Sequence, residues 1–140
     1  MVHALEEISR VLVADGTLID LRPVSGPSPV HVVSSRGRQE AGHVQPLPED
    51  VEDDAAANRA MAEGERVGLF VRQREALFPF RYSWDSPKEM QEYVEEEWAD
   101  FAEVDAEVWN RLRSLWAVAD ADARVGTELK MLITRWVRMG

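Results

Sequence analysis

The feature that most narrows the folds open to this chain is a strict alternation near its end. Val125, Thr127, Leu129, Met131, Ile133 and Val137 fall on one face of the segment, with Glu128, Lys130, Thr134 and Arg138 opposite. Successive side chains of an extended strand point to opposite sides, so this period of two predicts a long final strand.

Upstream, other periods take over. Val2, Leu5, Ile8 and Leu12 recur at helical spacing, and Asp15-Gly16 breaks that helix. Thr17 to Leu21 is a mostly apolar strand ended by Pro23, and its continuity predicts burial on both faces in mid-sheet. Val30 to Ser34 and Gln39 to Val44 pair as a hairpin around Gly37, the residue suited to a positive φ. An acidic run from Glu49 to Asp54 leads into an alanine-rich helix, whose N-terminal partial charge favours acids.

Val67 to Trp84 is aromatic and β-branched, with Pro79 marking an edge or a bulge. Ser86-Pro87-Lys88-Glu89 has the composition of a capped helix start. Met90, Val94, Trp98 and Phe101 then mark one buried stripe. Val108, Leu112, Leu115, Trp116 and Ala119 mark another, on a helix beginning near Asp105. The order predicts a single domain over residues 1–140, α/β or α+β, with a mixed sheet covered by helices.

Composition removes several function classes. The 140 residues contain no cysteine, which excludes disulfides, thiolate metal sites and a cysteine nucleophile, and fits a cytoplasmic location. A formal charge of −10 disfavours nucleic acid and anionic lipid as partners. No apolar run reaches membrane-spanning length, and the first residues lack the pattern of a signal peptide.

The opening, Ala4-Leu5-Glu6-Glu7-Ile8-Ser9-Arg10-Val11-Leu12 followed by Asp15-Gly16-Thr17-Leu18-Ile19-Asp20, resembles a late stretch of class I S-adenosylmethionine-dependent methyltransferases. There a helix ending in Arg-Val-Leu runs through a Pro-Gly-Gly turn into the fifth strand. Here Ala14-Asp15-Gly16 stands at the turn, so only the second glycine position is kept. The resemblance implies two further strands, the last inserted antiparallel, for which Val67–Trp84 and Arg124–Arg138 are the candidates. It also implies that the family's cofactor-binding positions precede this C-terminal half. Gly64, Gly68 and Gly126 are isolated and form no strand–GxGxxG–helix arrangement, so no cofactor-binding residue carries over.

Asp20 and Arg22, at the carboxyl end of the first strand, are the leading candidates for substrate or anion contacts; the alternative is a local ion pair before Pro23. Arg36 and Arg38 form a basic tip that could attract an anion or balance acidic helices. His31 and His43 face each other if the hairpin centres on Gly37, near Glu40, yet nothing supplies the rest of a metal shell. No catalytic residue is assigned and no metal is expected.

The favoured reading is a methyltransferase-like, non-catalytic binding or assembly module that forms a homodimer through the exposed edge of Thr17–Leu21. The alternative is the substrate-side half of a split or truncated methyltransferase acting on a small molecule, with S-adenosylmethionine held by a complementary chain. An unrelated enzyme using Asp20 and Arg22 ranks below both.

Overall fold

The structure, a computed structural model, describes residues 2–140. Its elements are α1 (Val2–Val11), β1 (Thr17–Pro23), β2 (Ser28–Ser34), β3 (Gly37–Pro46), α2 (Pro48–Arg66), β4 (Phe70–Trp84), α3 (Pro87–Glu97), β5 (Ala102–Glu103), α4 (Ala106–Ala117) and β6 (Arg124–Arg138). The strands form one hydrogen-bonded path, β1-β6-β2-β3-β5, with β4 also pairing β6. Strands and helices therefore combine as expected, but the strand pairs β1–β6, β2–β3, β2–β6 and β3–β5 are all antiparallel rather than mixed. The chain gathers into two compact units.

The first unit comprises residues 2–24, 52–78 and 131–140. Leu5 of α1, Ala60 and Met61 of α2, Phe70 of β4 and Trp136 of β6 form its buried cluster, with Ile8, Leu12, Leu18 and Leu69 against it. The helical stripe of α1 is thus the packed one; Val2, its first member, lies outside the described side chains. Asp15 carries the turn into β1 at φ 61°, a left-handed conformation that a short polar side chain tolerates. Arg138 N–H then donates to the Gly16 carbonyl at 2.9 Å, and its guanidinium donates to the Leu12 carbonyl.

β1 pairs β6 in register from Thr17↔Val137 to Pro23↔Met131. It is the terminal strand of the path, not an interior one. Burial alternates along it: Leu18, Asp20 and Arg22 are half-buried, while Ile19 and Leu21 are 53% and 55% exposed. The apolar run therefore does not reflect burial on both faces, because one set of side chains meets the cluster and the other meets no layer.

The second unit comprises residues 25–51 and 79–130. β2 and β3 close at Ser34↔Gly37, and Gly37 takes φ 123° as the hairpin pattern predicts. The register shifts between Val30 and His31. Across from that shift, Gly42 has φ 149°, and a Cβ there would come within 2.6 Å of Val108 Cγ2. Only glycine combines that backbone with so close an approach by α4.

The core holds Val30, Val32, Met90, Val94, Trp98, Leu112 and Val125, among others, flanked by Tyr82, Trp84 and Tyr93. Those aromatics meet stacked, tilted or edge-on, with Tyr82 and Trp98 centroids 5.1 Å apart. α3 begins as its composition predicts: Ser86 Oγ accepts from Glu89 N–H at 3.2 Å, and Glu89 Oε2 accepts from Asp85 N–H at 3.0 Å.

The alternation of β6 survives in its first half, where Val125 and Thr127 are fully buried. In its second half Thr134, Trp136 and Val137 are buried, so Val137 lies as expected while Thr134 leaves the polar face. No helix among the described residues is long and apolar enough to cross a membrane.

Candidate functional site

The inward side of β1 carries both leading candidates. Arg22 Nη2 donates to Asn58 Oδ1 of α2 at 2.6 Å. Its Nε lies 3.3 Å from Asp20 Oδ2 and its Nη1 3.8 Å from Asp54 Oδ1. The local ion pair therefore exists, but it is poorly directed: Arg22 Nε, Arg22 Nη1 and Asp20 Oδ2 are buried without hydrogen-bond geometry to any partner. Orientation matters because a guanidinium recognises an oxyanion through a fixed fork of donors.

Arg22 also lines a cavity of about 650 Å³, together with residues of α2, Arg72 and Glu75 of β4, and Leu132, Thr134 and Trp136 of β6. This volume lies within the range of small-molecule sites. Three arginines and two glutamates line it, on a chain whose overall charge is −10. Arg66 pairs with Glu63 and Arg72 with Glu75, while Glu75 Oε2 also accepts from Thr134 Oγ1 at 3.2 Å and Glu65 Oε2 from Arg72 N–H at 3.3 Å. Trp136 Nε1 is buried and has no acceptor.

In the second unit the basic tip is drawn into ion pairs. Arg36 Nε sits 3.3 Å from Asp120 Oδ2. Arg38 Nη2 and Arg81 Nε both donate to Glu128 Oε1, each at 3.0 Å. The bond from Arg81, followed by that from Arg38, holds the Glu128 carboxyl below its ordinary range. Arg38, Arg81 and Glu128 share a cavity of about 440 Å³ with His31.

The His31 ring lies on Gly126, where a Cβ would come within 3.2 Å of its Nε2. Its Nδ1 is buried without a partner. Burial first, then the charge of Arg38, pushes its pKa below 6.5, which favours the neutral ring.

The two histidines do not face each other. The hairpin closes at Ser34↔Gly37 instead of centring on Gly37, so His31 pairs with Glu40, and beyond the shift at Val30/His31 His43 pairs with Pro29. His43 Nε2 instead meets Glu40 Oε1 at 3.0 Å, on its own strand. Among the described residues, no three His, Cys, Asp or Glu side chains gather in a way that could hold a metal ion.

Three participants escaped the sequence reading. Arg81 followed no pattern of its own, and Glu128 was only a polar position of β6. Trp136 was one tryptophan among five, and its even-numbered place in β6, out of phase with the apolar set, was the available signal. Compared with known proteins, the chain matches no family profile, no curated protein and no solved structure.

Proposed function

We propose that the chain is a methyltransferase-like module, non-catalytic by itself, which works by association, a second copy covering the open side of β1. The observation that carries this reading is the state of β1. It ends the strand path, no strand among the described residues pairs its other edge, and Ile19 and Leu21 are more than half exposed. Leu77 and Phe78 of the same unit are exposed too, at 59% and 37%. Unpaired backbone groups beside apolar side chains form a template for another chain.

The likeness has support in strand arrangement. β6 is antiparallel to β1. It pairs β4 as well, with Met139 N–H donating to the Leu69 carbonyl and Gly126 beside the Tyr82 carbonyl, an antiparallel run. A last strand inserted antiparallel is what the resemblance implies.

The residues do not fit the family's cofactor. Gly64 packs against Leu5, Gly68 follows α2 at φ 81°, and Gly126 seats His31, so none opens a strand-to-helix phosphate-type turn. No methyl-transfer step is assigned to this chain.

Sedimentation equilibrium at micromolar concentration tests the association. The wild-type chain is expected to dimerise, and Leu21→Lys to weaken dimerisation at least tenfold, about 1.4 kcal/mol, with unchanged circular dichroism. A wild-type monomer throughout the concentration series overturns the reading.

The cavity beside Arg22 favours one second reading, the substrate-side half of a split or truncated methyltransferase acting on a small molecule. S-adenosylmethionine titrated into the chain alone then gives no heat, and methyl transfer appears only with a complementary chain that holds the cofactor.

A further inference from the structure

We infer that the cavity beside Arg22 takes a small organic molecule bearing a carboxylate on an apolar body, with the carboxylate held by the indole N–H of Trp136 and the guanidinium of Arg22. The inference starts from what is left unpaired. An indole nitrogen is a donor only, and burying a donor without an acceptor forfeits its hydrogen bond to water. Trp136 is 5% exposed, lines the cavity, and has no acceptor for Nε1. Arg22 lines the same cavity and leaves Nε and Nη1 buried without hydrogen-bond geometry. Every one of these atoms is a donor, so the complement must be an acceptor.

The guanidinium of Arg22 selects an anion over a neutral acceptor. Arg66 and Arg72, which also line the cavity, are paired with Glu63 and Glu75. Arg22 lies 3.3 Å from Asp20 and 3.8 Å from Asp54, yet its Nε and Nη1 make no hydrogen bond to either. A carboxylate presents two oxygens, which suits one guanidinium and one indole N–H together.

The rest of the lining selects an apolar body. Met61, Leu132 and the ring of Trp136 supply apolar surface, and about 650 Å³ exceeds what an inorganic ion would fill. Nothing in this inference requires β1 to associate, so it stands or falls apart from the assembly reading.

The test follows the indole N–H of Trp136 in proton–nitrogen correlation spectra of the full chain, assigned by its loss in Trp136→Phe. The probes are 1-naphthoate and its uncharged counterpart 1-naphthylmethanol. Naphthoate is expected to move the Trp136 resonance in a saturable way, and to bind roughly tenfold or more tightly than the alcohol. Followed by calorimetry, Arg22→Gln and Trp136→Phe should each weaken naphthoate by a similar factor and weaken the alcohol less. A Trp136 resonance that naphthoate does not move, or one that both probes move equally, overturns the proposal. So does an Arg22→Gln chain that is folded by its spectrum and binds naphthoate as the wild type does. Should Arg22→Gln unfold, the two probes on the wild-type chain decide alone.

Discussion

Among the described residues, twelve hydrophobic residues form the buried cluster of residues 25–51 and 79–130, whereas five form that of residues 2–24, 52–78 and 131–140. Among the same residues, unpaired buried polar atoms run the other way. The larger cluster goes with two, His31 Nδ1 and Thr127 Oγ1. The smaller goes with five: Asp20 Oδ2, Arg22 Nε and Nη1, Trp136 Nε1 and Arg138 Nε. A close-packed core with few unpaired groups is organised for stability. A thin core with donors facing a cavity retains groups that only a ligand completes. The two proposed roles, association and ligand binding, both fall in the thinly packed unit.

The same truncation made in each unit breaks or sharpens this contrast most strongly. Leu112 is fully buried among the twelve, and Leu5 is nearly so among the five. Leu112→Ala is expected to cost about 4 kcal/mol and Leu5→Ala about 2 kcal/mol, because the cost grows with the void that neighbours fail to fill. Chemical denaturation with each variant measures the difference. Equal costs would mean that the smaller cluster is as tightly packed as the larger.

A glycine supplies the next effect. Gly42→Ala would set a methyl group within 2.6 Å of Val108 at φ 149°. Overpacking and the strained backbone together are expected to remove about 1–3 kcal/mol, read as a lower denaturation midpoint. A neutral result would show that the bulge of β3 relaxes away from α4.

These residues also show what was legible in the sequence. The start of α3, the turn at Gly37 and the length of β6 were readable because local chemistry decides them: a cap, a positive φ, an alternation. The exposure of one face of β1 was not, since an apolar run states that burial suits it but not which layers arrive. The pairing of His31 and His43 was misread because it placed the hairpin centre on Gly37, whereas the strands close at Ser34↔Gly37, around Ser35 and Arg36. At the site, Asp20 and Arg22 were visible from strand-end position alone. Trp136 was hidden because its polar atom matters only once the cavity beside it is known.

The smallest effect expected concerns the well-packed unit and one of its two unpaired atoms. His31 is 4% exposed, and burial together with Arg38 lowers its pKa below 6.5. Arg81 adds to that lowering, while Glu128 and Glu40 oppose it; Arg124 and Asp122 complete the charged lining of the same cavity. A base with a folded pKa below its unfolded value binds its proton more readily when unfolded. Its contribution is therefore present in full above pH 6.5 and is lost as the pH falls toward the folded value. Glu128 acts in a lower window, because its carboxyl is depressed below an ordinary value of 4.5 and its contribution fades only in more acid solution. Denaturation at about pH 7.5 and about pH 5.5 thus isolates the histidine. The wild type should lose stability across that interval, and His31→Asn, which cannot titrate there, should lose less. If the variant retains the full wild-type slope, His31 is not held neutral, and the second unit would be accommodating a buried charge that its packing otherwise disfavours.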